Sequence, residues 1–209
     1  MQLTKLTHAS VRLVKDGATL VIDPGSFTEP DALDGADAVL ITHEHPDHMA
    51  PDRFAGLWRS EVYTTRGVAE KLEGTGARVH VVGDGDRFEV AGFDVAVVGE
   101  LHAVVHPEWP RLGNVGFLID HHTFHPGDAF NVPGVAVDTL LVPVHGPWMK
   151  APEMVDFVRE IGPRQAYPIH DGFLNERGLG LVDNLLRDLA KRYDAEIRRL
   201  EPGEQVDLG

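Results

Sequence analysis

The sequence contains no cysteine, which excludes a disulfide framework, a thiolate zinc site and a cysteine nucleophile. The same absence suits a reducing cytoplasm, where the chain is expected to reside. There is no apolar run of about 18 residues and no N-terminal signal pattern, so neither a membrane span nor secretion is expected. Positive charge is scarce: 19 Lys and Arg stand against 33 Asp and Glu, a formal net charge of −14. Nucleic-acid binding normally needs a basic stripe, and none is visible, so no such partner is expected. The acids are dispersed rather than blocked, as on solvated faces. No linker, low-complexity tract or short repeat interrupts the chain, so residues 1–209 are expected to form one domain. With 43% apolar and 25% charged residues, that length buries a core without cross-links.

What is present is concentrated in Val39-Leu40-Ile41-Thr42-His43-Glu44-His45-Pro46-Asp47-His48. Val39–Ile41 reads as a short buried strand that delivers the chain to three histidines and two acids. Pro46 disfavours a continuous helix through the cluster by restricting the residue before it. In an extended segment His43 and His45 point the same way, whereas Asp47 and His48 follow the turn and point elsewhere. That arrangement suits two adjacent metals, imidazoles serving one and a carboxylate with an imidazole the other.

Other segments repeat the pattern of a strand ending in a potential ligand. Residues 2–22 alternate in short strands around the hairpin signal Asp16-Gly17, with His8 at one strand end. Asp23-Pro24-Gly25 closes the next strand, either as a plain turn or as a carboxylate that orients a metal-bound imidazole. Pro51–Trp58 and Arg66–Glu73 read as helices and Glu61–Thr65 as a strand, followed by strands Arg78–Val82, Asp86–Val90 and Phe93–Val98. Gly83-Asp84-Gly85 reads as a hairpin turn rather than a phosphate loop, because no helix pattern follows it. Phe93–Val98 leads to His102, with His106 as a nearby rival; His102 is preferred because it sits at the strand end. Asn114–Asp120 turns at His121-His122, expected to be exposed, and the chain continues to Asp128 after Gly127. Val137–Val144 leads to His145, which is either a pocket residue or a satisfied loop histidine. Pro152–Ile161 is an amphipathic helix, Gln165–Ile169 a strand ending at His170, and about Gly180–Tyr193 a helix with Leu181, Leu185, Leu186 and Leu189 toward the core. Ile197–Leu200 and Gln205–Leu208 read as terminal strands around Pro202-Gly203. Trp109 and Trp148 either line the pocket or cover the core edge, and core cover is preferred for both.

The set His43, His45, Asp47, His48, His102, Asp128 and His170, with His43-Glu44-His45-Pro46-Asp47-His48 as its most specific part, resembles the ligand pattern of the metallo-β-lactamase fold superfamily. A finer resemblance, to small bacterial zinc-dependent hydrolases near the ascorbate-phosphate lactonase branch, rests on Thr7-His8-Ala9-Ser10, Ile22-Asp23-Pro24, His125-Pro126-Gly127-Asp128 and Pro168-Ile169-His170-Asp171-Gly172. The resemblance implies an α/β fold, a four-layer αββα sandwich with the metals at one edge of its two sheets. It also implies that His43, His45 and His102 hold a first metal and that Asp47, His48 and His170 hold a second, with Asp128 bridging them. His8, Asp23 and His145 become candidates for orienting ligands or lining the pocket.

Oxygen and nitrogen ligands without sulfur suit two divalent ions, Zn²⁺ first, with Mn²⁺ and Fe²⁺ open. Two such ions lower the pKa of a shared water. The expected activity is therefore hydrolysis, by a metal-bound hydroxide, of a small ester, lactone or phosphoester, with Asp47 orienting the hydroxide and His106 as proton donor or substrate contact. A β-lactam hydrolase, an RNA or DNA phosphodiesterase and a diiron oxidoreductase fit less well: no export signal is expected, the charge is −14, and His45 stands at the motif position where the diiron enzymes of the superfamily usually carry a Glu. A metal- or ligand-binding module without turnover is the alternative from another class. A small-molecule substrate is the expected partner, no membrane is expected, and a homo-oligomer is left open.

Overall fold

Ala38-Val39-Leu40-Ile41 is apolar throughout because both of its faces are covered. Ala38 and Leu40 point into one core, Val39 and Ile41 into another. The strand Thr139–Pro143 divides the same way, Leu141 joining the core that holds Leu40 while Leu140 and Val142 enter a third. Two sheets explain these three cores. The computed structural model describes residues 1–55 and 60–208.

The first sheet contains β1 (Gln2–Lys5), β2 (Val11–Lys15), β3 (Ala18–Ile22), β4 (Ala38–Ile41), β5 (Glu61–Thr64), β6 (Arg78–Val81) and, at its far edge, β14 (Gln205–Asp207), in the order β14-β1-β2-β3-β4-β5-β6. The second contains β7 (Arg87–Val90), β8 (Phe93–Val98), β9 (Gly116–Ile119), β10 (Thr123–His125), β11 (Thr139–Pro143), β12 (Gln165–Ile169) and β13 (Glu196–Ile197), in the order β13-β12-β11-β10-β9-β8-β7. Leu13, Leu40, Phe93, Phe117 and Tyr167 fill the space between the sheets. Each fully buried side chain of this kind stabilises the fold by about 1.5–3 kcal/mol. Helix α1 (Arg66–Lys71) covers the outer face of the first sheet through Val68, and α2 (Ala151–Ile161) and α3 (Glu176–Tyr193) cover the second through Met154, Phe157, Leu186 and Leu189. The layers are therefore α, β, β, α, as expected. No helix among the described residues is long and apolar enough to cross a membrane.

Four local expectations change. Gly83-Asp84-Gly85 is not a hairpin: it carries the chain from β6, an edge of the first sheet, to β7, an edge of the second. Asp84 and Asp86 hold that crossing by accepting the amides of Gly99 at 2.6 Å and Gly83 at 2.8 Å. The strands flanking Pro202-Gly203 likewise belong to different sheets. Helix α3 starts at Glu176, before Gly180, because the Asn175 side chain accepts the amides of Arg177 and Gly178. Within this helix Leu181 is 73% exposed rather than in the core. Over the expected helix Pro51–Trp58 a 3-10 turn spans Pro51–Phe54, and residues 56–58 lie outside the described residues.

The topology places the ligands. Strands β3, β4 and β5 run parallel, as do β10, β11 and β12. Asp23, His43, Asp128, His145 and His170 all lie just beyond the carboxyl ends of these strands, where side-chain chemistry in parallel sheets collects.

Candidate metal centre

The chain after β4 is shaped by Asp23, a fully buried carboxylate at φ 50. Its Oδ1 accepts the Thr42 amide at 2.7 Å, and its Oδ2 accepts the Thr42 hydroxyl at 2.7 Å and His48 Nδ1 at 2.8 Å. Because the Thr42 hydroxyl donates to Asp23, it accepts from His43 Nδ1 at 3.0 Å. His102 Nδ1 donates to the Ala103 carbonyl at 2.7 Å. His43 and His102 thus have their Nδ1 protons committed and present Nε2 as a lone pair, and His48, anchored the same way, does so once Nε2 gives up its proton.

Two groups result. One ligand atom from each of His43, His45, His102 and Asp128 lies within 4.8 Å of the others, and the same holds for His8, Asp47, His48 and His170. Asp128 faces both groups. Its Oδ2 lies 3.4 Å from His102 Nε2 and 3.1 Å from His170 Nε2, and its Oδ1 lies 3.2 Å from His48 Nε2. His8 differs from its neighbours. Its Nδ1 accepts the Gly172 amide at 3.0 Å, so the ring proton resides on Nε2 and is donated to Asp47 Oδ2 at 3.0 Å. His8 therefore orients Asp47 and offers no inward lone pair.

A metal would satisfy what the protein leaves unsatisfied. His48 Nε2, His102 Nε2, Asp128 Oδ1 and both ring nitrogens of His170 are buried without a hydrogen-bond partner. Each such atom costs about 1–3 kcal/mol, and their convergence as nitrogen and oxygen donors fits divalent cations. All seven expected ligands are among the eight residues gathered here.

The sequence profile of the β-lactamase superfamily domain matches residues 2–170. The chain belongs to this superfamily. The arrangement of its sheets and helices is that of the metallo-β-lactamase fold. Protein Rv0786c of Mycobacterium tuberculosis is 37% identical over 200 residues, covering 90% of this chain and 92% of its own. A protein of Korarchaeum cryptofilum named a UPF0173 metal-dependent hydrolase is 26% identical over 229 residues and aligns over the whole of both chains. A crystal structure from Parabacteroides distasonis, described as a metal-dependent hydrolase, superposes with a TM-score of 0.77 at 24% identity, covering 96% of this chain and 92% of that one.

Electrostatics in this β-lactamase superfamily centre follow from burial and close charges. Burial alone would lower His48, but the Asp128 and Asp23 carboxylates raise it well above its ordinary value. Burial, with His48 nearby, holds His43 well below. Burial and His102 lower His45. Burial would raise both carboxyls, yet His48 and His43 hold Asp128 well below its ordinary value, and the hydrogen bond from His8 helps bring Asp47 down to about 2. The metal-free centre thus carries a proton on His48 between two carboxylates.

Beside His45 and His102 opens a cavity of about 460 Å³, walled by Val105, Trp109, Pro110, Leu112 and Pro147. His106 lines it from an exposed position, outside both ligand groups, and its Nδ1 accepts the Glu108 amide at 3.2 Å. His145 is half-buried near Phe173, with ring centroids 6.2 Å apart and Nδ1 unpartnered; burial and His170 lower its pKa. His121 is exposed and His122 half-buried.

Several supporting residues escaped the sequence reading. Trp148, assigned to the core edge, is buried and donates Nε1 to Asp128 Oδ2 at 3.0 Å, so it touches the centre itself. Trp109, also assigned there, is 62% exposed and walls the cavity instead. Asn114 accepts the Asp128 amide at 2.9 Å. Lys5 is 1% exposed; its Nζ donates to the carbonyls of Leu6 and His8 and lies 3.5 Å from Asp171 Oδ1. It ties the His8 segment to the residue after His170. A lysine on the same strand face as Leu3 was the available signal.

Proposed function

We propose that this chain is a metal-dependent hydrolase that cleaves a small ester, lactone or phosphoester with water activated between two divalent ions, most simply Zn²⁺. The observation that carries the reading is Asp128, whose two oxygens face imidazoles of both ligand groups. His43, His45 and His102 would hold one ion and Asp47, His48 and His170 the other, with Asp128 between them. When bound, the pair would supply a water acidic enough to act as hydroxide near neutral pH and would polarise the carbonyl or phosphoryl oxygen of the substrate. The chain's own residues do the rest. Asp23 and Thr42 fix the imidazole tautomers, His8 holds Asp47 ionised and oriented, and His106, on the cavity wall, is placed to protonate the departing group. Relatives named metal-dependent hydrolases support the same reading.

The test joins elemental analysis of the purified protein with turnover of an ester, a lactone and a phosphodiester, for the native chain and Asp47→Ala. Two equivalents of metal and a metal-dependent turnover lost in the variant are expected. Full metal occupancy with no turnover of any substrate would make the chain a binding module.

A further inference from the structure

The cavity beside His45 and His102 differs from the rest of the centre in that most of its exposed wall is apolar, with His106 and Arg111 as the further polar groups. Its walls are the side chains of Val105, Trp109, Pro110, Leu112 and Pro147. Val105 and Trp109 are 39% and 62% exposed, so apolar surface on this wall is open to a ligand. Among the described residues lining it, Arg111 is the one permanently charged cation. Arg111 Nε and Nη2 both donate to the His102 carbonyl, at 2.8 and 2.6 Å, so one edge of the guanidinium is committed to bracing a candidate ligand. Among the described residues no carboxylate lines the cavity. Because His45 and His102 belong both to this wall and to the first ligand group, whatever fills the cavity abuts the reacting centre.

We propose that the cavity holds an uncharged apolar group of the substrate, which makes the preferred substrate a neutral carboxylic ester or lactone with an apolar acyl chain rather than a phosphoester. This rests on the hydrolase reading above and narrows it. It also parts from the ascorbate-phosphate branch suggested by the local motifs, whose substrate is anionic. In the reaction the oxygen of water bonds to the carbonyl carbon and the ester C–O bond breaks. Its electron pair leaves on the alcohol oxygen, which takes up a proton, and the acid is released as carboxylate and a proton.

The experiment compares p-nitrophenyl esters from acetate to octanoate with bis(p-nitrophenyl) phosphate on the metal-loaded protein and on Trp109→Ala. Binding of hexanamide, a neutral and unreactive probe, is measured by calorimetry on the same proteins. We expect kcat/KM to rise about fourfold for each methylene the cavity takes up, and Trp109→Ala to flatten that rise and weaken hexanamide. Phosphodiester turnover matching that of the esters, or esters hydrolysed without dependence on chain length, would overturn the apolar-substrate proposal and leave the hydrolase standing. Hexanamide binding that is lost in Trp109→Ala, with no turnover of any compound, would overturn the hydrolase and keep the apolar pocket. Absence of hexanamide binding would overturn the pocket assignment.

Discussion

In the first ligand group His43 and His102 are each anchored at the far ring nitrogen, by the Thr42 hydroxyl and the Ala103 carbonyl. In the second, His170 has no hydrogen bond at either ring nitrogen. Its place is set by a left-handed backbone at φ 61 and by the ring of His8, whose centroid lies 4.1 Å away. Left-handed backbone is costly for a residue with a Cβ and persists only where its surroundings enforce it. Here they do so through the His170 amide, which donates to the His8 carbonyl at 3.2 Å, and through Lys5 on the same carbonyl. His48 and Asp47 of the second group are held by the side chains of Asp23 and His8, so the contrast rests on His170, which the main chain and ring packing orient. The second group therefore has one ligand with no hydrogen-bonded anchor on its ring, and chelation should empty that site first.

Asp128→Ala breaks the comparison outright because Asp128 serves both groups. It should remove metal from both sites and lower the stability of the metal-free protein by about 3 kcal/mol, since His48 keeps its proton beside one carboxylate fewer. Metal analysis and chemical denaturation read the two effects. Thr42→Val and His8→Gln sharpen the contrast. The first frees the His43 tautomer and should weaken the first site by about 10–100-fold. The second releases Asp47 and should weaken the second site by about tenfold. Both should leave two ions per chain at saturation in competition titrations with a chelator. A full equivalent lost in His8→Gln would make His8 a ligand.

The smallest effect is graded by pH. His48 is raised above its ordinary 6.5, so the stability its proton confers on the metal-free fold is fully present below that value. It is lost as pH rises through the raised one. Metal must displace this proton, so the affinity of the second site should climb about tenfold per pH unit below the raised value and level off above it. Proton release measured in weakly buffered solution checks the sign: one proton freed at low pH, none at high.

The side chains that the structure gathers were legible because they follow strands, and a short apolar run ending in His or Asp announces itself without tertiary information. The αββα layering followed from the resemblance those ligands carry. What orients the ligands was less legible. Thr42 reads as a strand-end residue, and only its position between Asp23 and His43 gives its hydroxyl a task. Trp148 looks like core cover until its indole N–H is seen to reach Asp128. Gly83-Asp84-Gly85 has hairpin composition, but which sheet receives the next strand is a long-range matter, settled by β7 pairing with β8. The exposed Leu181 shows the limit of periodicity, since a leucine at core spacing still needs something packed above it.

Leu101 pairs with Gly113, and the His102 amide donates to the Leu112 carbonyl at 3.0 Å, so residues 102–112 leave and rejoin the sandwich at one point. Within that closed loop lie a candidate metal ligand at its root and most of the apolar wall farther along. The loop is therefore a cassette. Lengthening or rewriting its outer part alters what the protein accepts while the root stays clamped to the sheet. Selection can retune specificity there as long as His106 and Arg111 are kept, and an engineer can graft the same segment from a relative with a single pair of junctions.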